Sequence, residues 1–214
     1  MKTTSAPALI DSFKTDKPVS VEANEYYLKA KYYIDAKYLA TSRESDFQTA
    51  IDMAKKAIEL DSSYALAYAE LVRINEVHYI RTENPSDIKQ MLLFAEQAYK
   101  INHNLIETLR AKHVAHFNND EYQKAYFFIK KAFDLNPNDF ATNYALEMFF
   151  GRLGFFYEAS EYEQRALQVN PLAFDIYFDR AFNFTMLGQL DGAKQHYEKL
   201  LSDPKGGSKP DNNL

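Results

Sequence analysis

The stretch YQKAYFFIKKAFDLNPNDFATNYALEMFFGRLGFFYEASEYEQRALQVNP, residues 122–171, contains the spacing that decides the fold. Within it Ala125 is followed by Ala159 at an interval of thirty-four residues, and Ala193 continues this column at the same interval. Three further columns share the interval: Ala132, Ala166 and Leu200; Tyr122, Phe156 and Leu190; Pro137 and Pro171. Four columns with one period predict a structural repeat of that length.

Each repeat also contains two breaks, which divide it into a pair of helices. One break is a polar segment at the end of the repeat, as in Leu135-Asn136-Pro137-Asn138 and Val169-Asn170-Pro171-Leu172. Asn can cap the next helix there, and Pro fits its first turn. The other break lies at Asn118-Asn119-Asp120, Leu153-Gly154 and Leu187-Gly188, where Asn or Gly can adopt the left-handed conformation that ends a helix. Each repeat is therefore predicted to be a hairpin of two helices of about 12 to 15 residues.

The earlier part of the chain follows the same pattern with one irregularity. Ala98 precedes Ala132 by one period, but Ala57 precedes Ala98 by one period and seven residues more. The turn-rich sequence Arg81-Thr82-Glu83-Asn84-Pro85-Ser86 lies in this interval. We predict that the inserted residues form a turn there.

This pattern resembles the tetratricopeptide repeat (TPR), a helix–turn–helix unit of about 34 residues with small residues where its helices touch and a Pro near its end. The resemblance implies an all-α fold, a right-handed superhelical solenoid of about five TPR helix–turn–helix repeats over residues 22–202. Repeats three to five, at 106–139, 140–173 and 174–204, match best. Residues 1–21 and 203–214 have the composition of disordered segments and are expected to flank the solenoid.

One column departs from the family pattern. Where TPR units usually have a glycine in the first helix, this chain has Val72, His113, Glu147 and Ala181. This position lies at a close contact between helices. We therefore expect the large residues of repeats three and four to separate the helices of those repeats somewhat.

Composition and charge exclude several classes of function. The chain has no cysteine, so disulfides, thiolate nucleophiles and cysteine-based metal sites are excluded. It has no GxGxxG, GxxxxGKS or GxxxxGKT loop, so the usual cradle for nucleotide phosphates is missing. The net charge of −5 is spread over both halves, and neither has the basic excess that nucleic-acid binding needs. No run of about 18 apolar residues occurs, so we expect no membrane insertion and a cytoplasmic location, unless the chain is a fragment of a membrane-anchored protein.

The histidines of repeat three are the strongest candidate for a metal site. His113 and His116 are spaced so that they could share one helical face with Asp120. Zinc sites normally use three or four ligands, however, and the repeat places both histidines against neighbouring helices. We interpret them as packed histidines, and we predict no metal and no cofactor.

Repeat four contains a group of acidic residues that could suggest acid–base chemistry, namely Glu158, Glu161 and Glu163. General acid–base catalysis needs a desolvated cleft that moves two pKa values apart. Charges on the second helix of a repeat are typical of a solvated face, which is our interpretation. Asn183-Phe184-Thr185 is formally a glycosylation sequon, but it lies inside a predicted helix and is discounted. The sequence thus predicts a protein that is not an enzyme.

In TPR proteins the first helix of every repeat lines a concave groove, and the resemblance implies the same here. The groove residues that follow from the register are Arg73, Glu76, Arg110, Val114, Asn118, Tyr144, Met148, Arg152, Phe178 and Phe182. The hypothesis is that the groove binds an extended or helical peptide of a protein partner. Its acidic or C-terminal carboxylate end would lie near Arg73 and Arg110, and its apolar side chains near Tyr144, Phe178 and Phe182.

A narrower resemblance leaves an alternative function open. The Lys-x-x-x-Asn and Lys-x-x-x-Arg pairs with which chaperone-binding TPR proteins hold acidic tails are absent from the matching positions, which disfavours that role. Residues 50–71 resemble the repeats that follow a DNA-binding winged helix or a nucleotide cyclase domain in bacterial signalling proteins. The two hypotheses are therefore a non-catalytic protein–protein interaction module and a ligand-responsive sensory or regulatory domain of a larger bacterial regulator.

Overall fold

The computed structural model describes residues 20–202, which form ten helices. The first helix, α1, has three parts: Val21–Tyr32, a π-helical segment Tyr33–Tyr38 and a last turn Leu39–Thr41. The others are α2 (Glu44–Leu60), α3 (Ala65–Thr82), α4 (Pro85–Ile101), α5 (Ile106–Asn118), α6 (Tyr122–Leu135), α7 (Phe140–Arg152), α8 (Phe156–Val169), α9 (Phe174–Met186) and α10 (Leu190–Ser202). Residues 1–19 and 203–214, where the sequence predicts disordered segments, lie outside the described residues.

The all-α fold of helical hairpins predicted from the period is confirmed. The helices pack in consecutive pairs, α1 with α2 through to α9 with α10, so that residues 20–202 hold five hairpins. The breaks also lie where the sequence predicts them, because α5 ends at Asn118, α7 at Arg152 and α9 at Met186. A left-handed residue follows each of these ends: Asp120 (φ 59°), Gly154 (φ 82°) and Gly188 (φ 72°).

The predicted turn within residues 81–86 is present, but it is shorter than the inserted segment. The inserted residues lengthen the two helices on either side of it, so that α3 has 18 residues and α4 has 17. Only Glu83 and Asn84 connect them. The physical reason is that Asn84 caps α4 through a bond of 3.1 Å from the Ser86 backbone N–H, and Pro85 occupies the first helical position, where it is tolerated best.

The chain divides into two compact units, Met1–Leu135 and Asn136–Leu214. We call them the N-terminal unit, which contains the first three hairpins, and the C-terminal unit, which contains the last two. In each unit the small residues of the repeat columns are buried at helix contacts; they include Ala57, Ala98, Ala125 and Ala132 in the N-terminal unit and Ala159, Ala166 and Ala193 in the C-terminal unit. Small side chains allow the backbones to approach, which is why the columns are occupied by alanine. Among the described residues, none of the helices combines the length and apolar character needed to cross a bilayer.

Gly154 provides a test of the predicted helix ends. Its φ of 82° is one that side-chain-bearing residues rarely adopt, while a Cβ added there would meet no atom within 4 Å. Gly154→Ala is therefore expected to lower the free energy of unfolding by about 1 kcal/mol through backbone strain alone. The measurement is urea denaturation followed by circular dichroism. The control is Gly151→Ala inside α7, where the added Cβ makes ordinary contacts, and this variant should be neutral or stabilising. An equal loss of stability in both variants would show that the loss in Gly154→Ala does not come from its left-handed backbone.

Candidate functional site

In the N-terminal unit the first helices of the three hairpins, α1, α3 and α5, are in contact in that order. The predicted groove residue Arg73 lies on α3 and is held by two carboxylates of the same chain. Its Nη1 donates to Asp35 Oδ1 at 2.7 Å, and its Nε donates to both oxygens of Glu70 at 3.1 and 3.2 Å. Glu70 is only 5% exposed, and Lys31 Nζ is 4.0 Å from it. A peptide carboxylate would therefore have to compete with Asp35 and Glu70 for Arg73.

The remaining predicted residues of this unit lie on α3 and α5, and all four are partly exposed: Glu76, Arg110, Val114 and Asn118. Val114 packs against the core cluster formed by Val72, Met91, Ala95, Ala111 and Ala115, so it supports the fold as well. Asn118 donates to the carbonyl oxygen of Val114 at 2.9 Å. This part of the predicted site is thus polar, and much of its hydrogen-bonding capacity is used within the chain.

The C-terminal unit presents a different surface, which we call the α9 stripe: Phe178, Phe182 and Met186. These side chains follow one another at intervals of four residues along α9 and are 58%, 46% and 51% exposed. Spacing of this kind places them on one face of the helix. Large apolar side chains exposed side by side are uncommon on a soluble surface unless they bind something.

Two ring contacts orient the side chains of the α9 stripe. The other predicted site residues of this unit lie on α7. The Phe182 ring lies edge-on to Phe156, with 6.2 Å between centroids, and Phe178 lies edge-on to Tyr197 at the same distance. Tyr144 and Met148 on α7 are partly exposed, and Tyr144 also packs against the core cluster of Ala166, Leu167 and Ile176. Arg152 is exposed at the end of α7.

A buried polar junction between α7, α8 and α9 was not predicted from the sequence. Glu147 and Glu163 are 3% and 1% exposed, and Asn183 Nδ2 donates to Glu147 Oε1 at 3.2 Å and to Glu163 Oε2 at 3.3 Å. The interpretation of the acidic group as a solvated face is correct for Glu158 and Glu161, which are exposed, and wrong for Glu163. The repeat period could have indicated the burial of Glu163, because Glu163 follows the fully buried Ile129 by one repeat length.

Burial changes the titration of both carboxyl groups at this junction. It raises the pKa of Glu147 to about 8, with a further increase from the charge of Asp179. It raises the pKa of Glu163 to about 7, and the Arg180 guanidinium, whose Nε is 3.2 Å from Glu163 Oε1, acts in the opposite direction. A carboxyl that remains protonated near neutral pH is a hydrogen-bond donor.

The candidate metal residues of repeat three have separate partners in the structure. His113 Nδ1 lies 3.1 Å from the carbonyl oxygen of Ala125, and His116 Nδ1 lies 2.6 Å from Glu121 Oε2. Asp120 accepts a bond of 2.6 Å from the Tyr122 hydroxyl. Between residues 20 and 202, no group of three or more histidine, aspartate and glutamate side chains is arranged to hold a metal ion. The two histidines therefore serve packing and helix-end contacts.

A shallow cavity of about 470 Å³ lies beside α5 and α6, lined by Lys112, His116, Gln123, Lys124, Phe127 and Phe128. The Lys112 ammonium donates to Glu96 at 2.9 Å, and the His116 ring stacks on Phe128. The cations at this cavity are paired within the chain, since Lys124 also pairs with Glu121. This arrangement gives the cavity no distinct charge.

Comparison with known proteins identifies the fold. No protein-family model matches the chain, and no curated protein matches its sequence. Solved structures do match it: the thermophilic TPR protein TTC0263 of Thermus thermophilus has a TM-score of 0.67 at 15% identity, covering 86% of this chain and 92% of that one. PilF of Pseudomonas aeruginosa has a TM-score of 0.61 at 20% identity, covering 88% and 79%.

A third similar structure is that of YrrB, "a TPR protein with an unusual peptide-binding site", with a TM-score of 0.50 at 17% identity, covering 92% and 91%. At these identities the likeness concerns the fold. The chain has the tetratricopeptide-repeat fold, as the period of its sequence predicts. The similar structures do not favour the alternative of a sensory domain of a bacterial regulator.

Proposed function

We propose that this chain is a non-catalytic protein-interaction module that binds a peptide or a partner protein through the first-helix surface of its repeats. The observation that carries the proposal is the α9 stripe, because it exposes three large apolar side chains on one helical face. Burying such side chains against a partner removes apolar area from water, at about 25 cal/mol per Å². Aromatic and methionine side chains are also common at protein interfaces.

Other predicted residues of the C-terminal unit add to this apolar contact. Tyr144 and Met148 extend the apolar surface of the C-terminal unit on α7. Arg152, which is exposed at the end of α7, is the candidate for polar contacts in this unit. The partner is a protein rather than a nucleic acid, because neither half of the chain has a basic excess. The peptide-binding site named for YrrB supports this use of the fold, and the cytoplasmic location expected from the sequence is part of the same proposal.

The test is selection of binding peptides from a random library on the full chain, followed by affinity measurements on variants. Phe178→Ala/Phe182→Ala is expected to weaken binding of the selected peptides at least about 30-fold, since loss of an interface hot spot costs about 2 kcal/mol or more. Leu172→Ala/Tyr157→Ala is the matched control, because both side chains are exposed in the same unit and lie outside α9. It should change affinity less than about 3-fold.

Two outcomes would overturn the proposal. One is equal affinity of the selected peptides for the wild-type chain and for Phe178→Ala/Phe182→Ala. The other is a selection that yields no binder to the wild-type chain. A third variant, Arg152→Glu, addresses the polar end of the peptide. If that end is a carboxylate at Arg152, this variant should weaken binding of the free acid but not of the C-terminal amide.

A further inference from the structure

Three helices of the C-terminal unit meet at Glu147 on α7, Glu163 on α8 and Asn183 on α9. Asn183 has two side-chain N–H groups on one nitrogen, and that nitrogen lies within hydrogen-bond distance of both carboxyl groups. All three side chains are almost completely buried. The junction therefore brings two carboxyl groups into one buried site that is bridged by a single neutral amide.

The hydrogen bonds at this junction differ between the two carboxyl groups. Glu163 Oε1 pairs with Arg180, and its Oε2 accepts from Asn183. Glu147 accepts from Asn183 through Oε1, but its Oε2 is buried and has no hydrogen-bond partner. A buried ionised oxygen without a partner is strongly unfavourable, whereas a protonated carboxyl removes the charge. The proton is therefore best placed on Glu147.

The surrounding charges favour the same assignment. The charged and titratable groups that face the pair are Asp179 and Arg180 on α9, while α7 and α8 contribute the two glutamates themselves. Asp179 raises the pKa of both carboxyl groups, and Arg180 lowers that of Glu163. Glu147 thus has the higher pKa of the two, about 8 against about 7.

We propose that this junction is a proton-dependent lock on the C-terminal unit. With Glu147 protonated, α7, α8 and α9 keep the packing described above. With Glu147 ionised, the buried charge favours states in which the junction opens to water. The lock also holds the spacing between Met148 on α7 and the α9 stripe, so ionisation should weaken partner binding; this consequence alone rests on the proposed function.

The sign of the pH dependence follows from linkage. A glutamate has a pKa of about 4.3 when it is exposed to water in the opened state. The closed state binds the proton more tightly than the opened state, so the closed state loses stability as the pH rises above about 4. The loss levels off near pH 8, which is the pKa of Glu147 in the closed state. Between pH 6 and pH 9 this amounts to an increase of about 100-fold in the opening equilibrium.

The first measurement is a titration of the glutamate side-chain carboxyl carbons by NMR in the full chain. Wild type is expected to show glutamate carboxyl signals that titrate above pH 6, one of which is missing from Glu147→Gln. Glu161→Gln, which removes an exposed carboxyl from α8, should instead lose a signal that titrates in the ordinary range. If every glutamate carboxyl of the wild-type chain is ionised by pH 6, the proposal is overturned, whether or not the variants fold.

The second measurement is amide hydrogen exchange of the full chain at pH 6 and pH 9, corrected for the intrinsic pH dependence of exchange. Protection of α7, α8 and α9 amides should fall about 100-fold more in wild type than in Glu147→Gln, where Glu163, with its raised pKa of about 7, leaves a fall of about 10-fold. Amides of α3 and α5 in the N-terminal unit are the internal reference. An equal fall in wild type and Glu147→Gln, or no fall in wild type, would contradict the lock. Neither measurement uses a partner, so either the lock or the proposed function can be overturned without the other.

Discussion

Replacement of Arg73 by methionine is expected to lower the free energy of unfolding of the N-terminal unit by about 2–3 kcal/mol. The change leaves Glu70 buried without its bidentate partner, and loss of one member of a buried ion pair typically costs about 3–5 kcal/mol. The expected value is lower because Arg73 is one-third exposed and Lys31 remains 4.0 Å from Glu70. The measurement is urea unfolding followed by tyrosine fluorescence and circular dichroism, since the chain has no tryptophan.

Two variants define the origin of this loss. Lys56→Met removes an ion pair with Glu59 in which both partners are well exposed, and it should leave stability unchanged. Glu70→Met/Arg73→Met removes the buried pair completely and should be more stable than Arg73→Met alone, because no buried charge is left uncompensated. If Arg73→Met has wild-type stability, Arg73 does not balance a buried charge and would be available to a peptide carboxylate.

Replacement of Ala125 by leucine is the second large effect, and it is expected to cost about 2–3 kcal/mol. Ala125 is fully buried where α6 meets α5, and its carbonyl oxygen lies 3.1 Å from His113 Nδ1. A larger side chain must push these helices apart or leave its preferred rotamer, and such overpacking costs about 1–3 kcal/mol. The same unfolding experiment measures it.

Ala40→Leu is the matched control for this change, since Ala40 is exposed near the end of α1 in the same unit. It should alter the free energy of unfolding by less than about 0.5 kcal/mol. A neutral Ala125→Leu variant would show that the alanine column does not mark a close contact between helices. The explanation of the repeat period by helix packing would then fail.

The period was sufficient to predict the hairpins, because each column reports a contact that recurs in every repeat. Asn118, Arg152 and Met186 end helices as the turn signals indicate. The seven-residue insertion was harder to place, since Pro and Asn signal both a turn and the beginning of a helix. In the structure Pro85 begins α4, and the extra residues extend the helices instead of the connection.

The candidate site was less predictable, because its properties depend on partners that are distant in sequence. Arg73 pairs with Asp35, which is 38 residues away, so its charge is matched in a way that periodicity does not reveal. Glu147 and Asn183 are 36 residues apart and likewise meet only in the folded chain. The apolar face of α9 was predictable, since Phe178 and Phe182 lie in the positions that the repeat assigns to the groove.

The two units therefore differ in the surface that their first helices present. The N-terminal unit has an internally paired polar network around Arg73 and Glu70, and the C-terminal unit has the exposed α9 stripe. This contrast concentrates the proposed partner binding in the C-terminal unit. The proposed proton-dependent junction includes residues of α7 and α9, the helices on which the proposed binding residues of this unit lie.

Partner binding on the α9 stripe can be measured at the methionines of the chain. Met148 and Met186 lie on the proposed surface, while Met53 and Met91 are packed in the N-terminal unit. The measurement is NMR of methyl-labelled methionine in the full chain, titrated with a library-selected peptide and assigned through single Met→Leu variants. We expect the Met186 and Met148 signals to shift in proportion to bound peptide while those of Met53 and Met91 stay in place. Saturating peptide that moves Met53 or Met91 but leaves Met186 and Met148 unchanged would contradict binding on the α9 stripe.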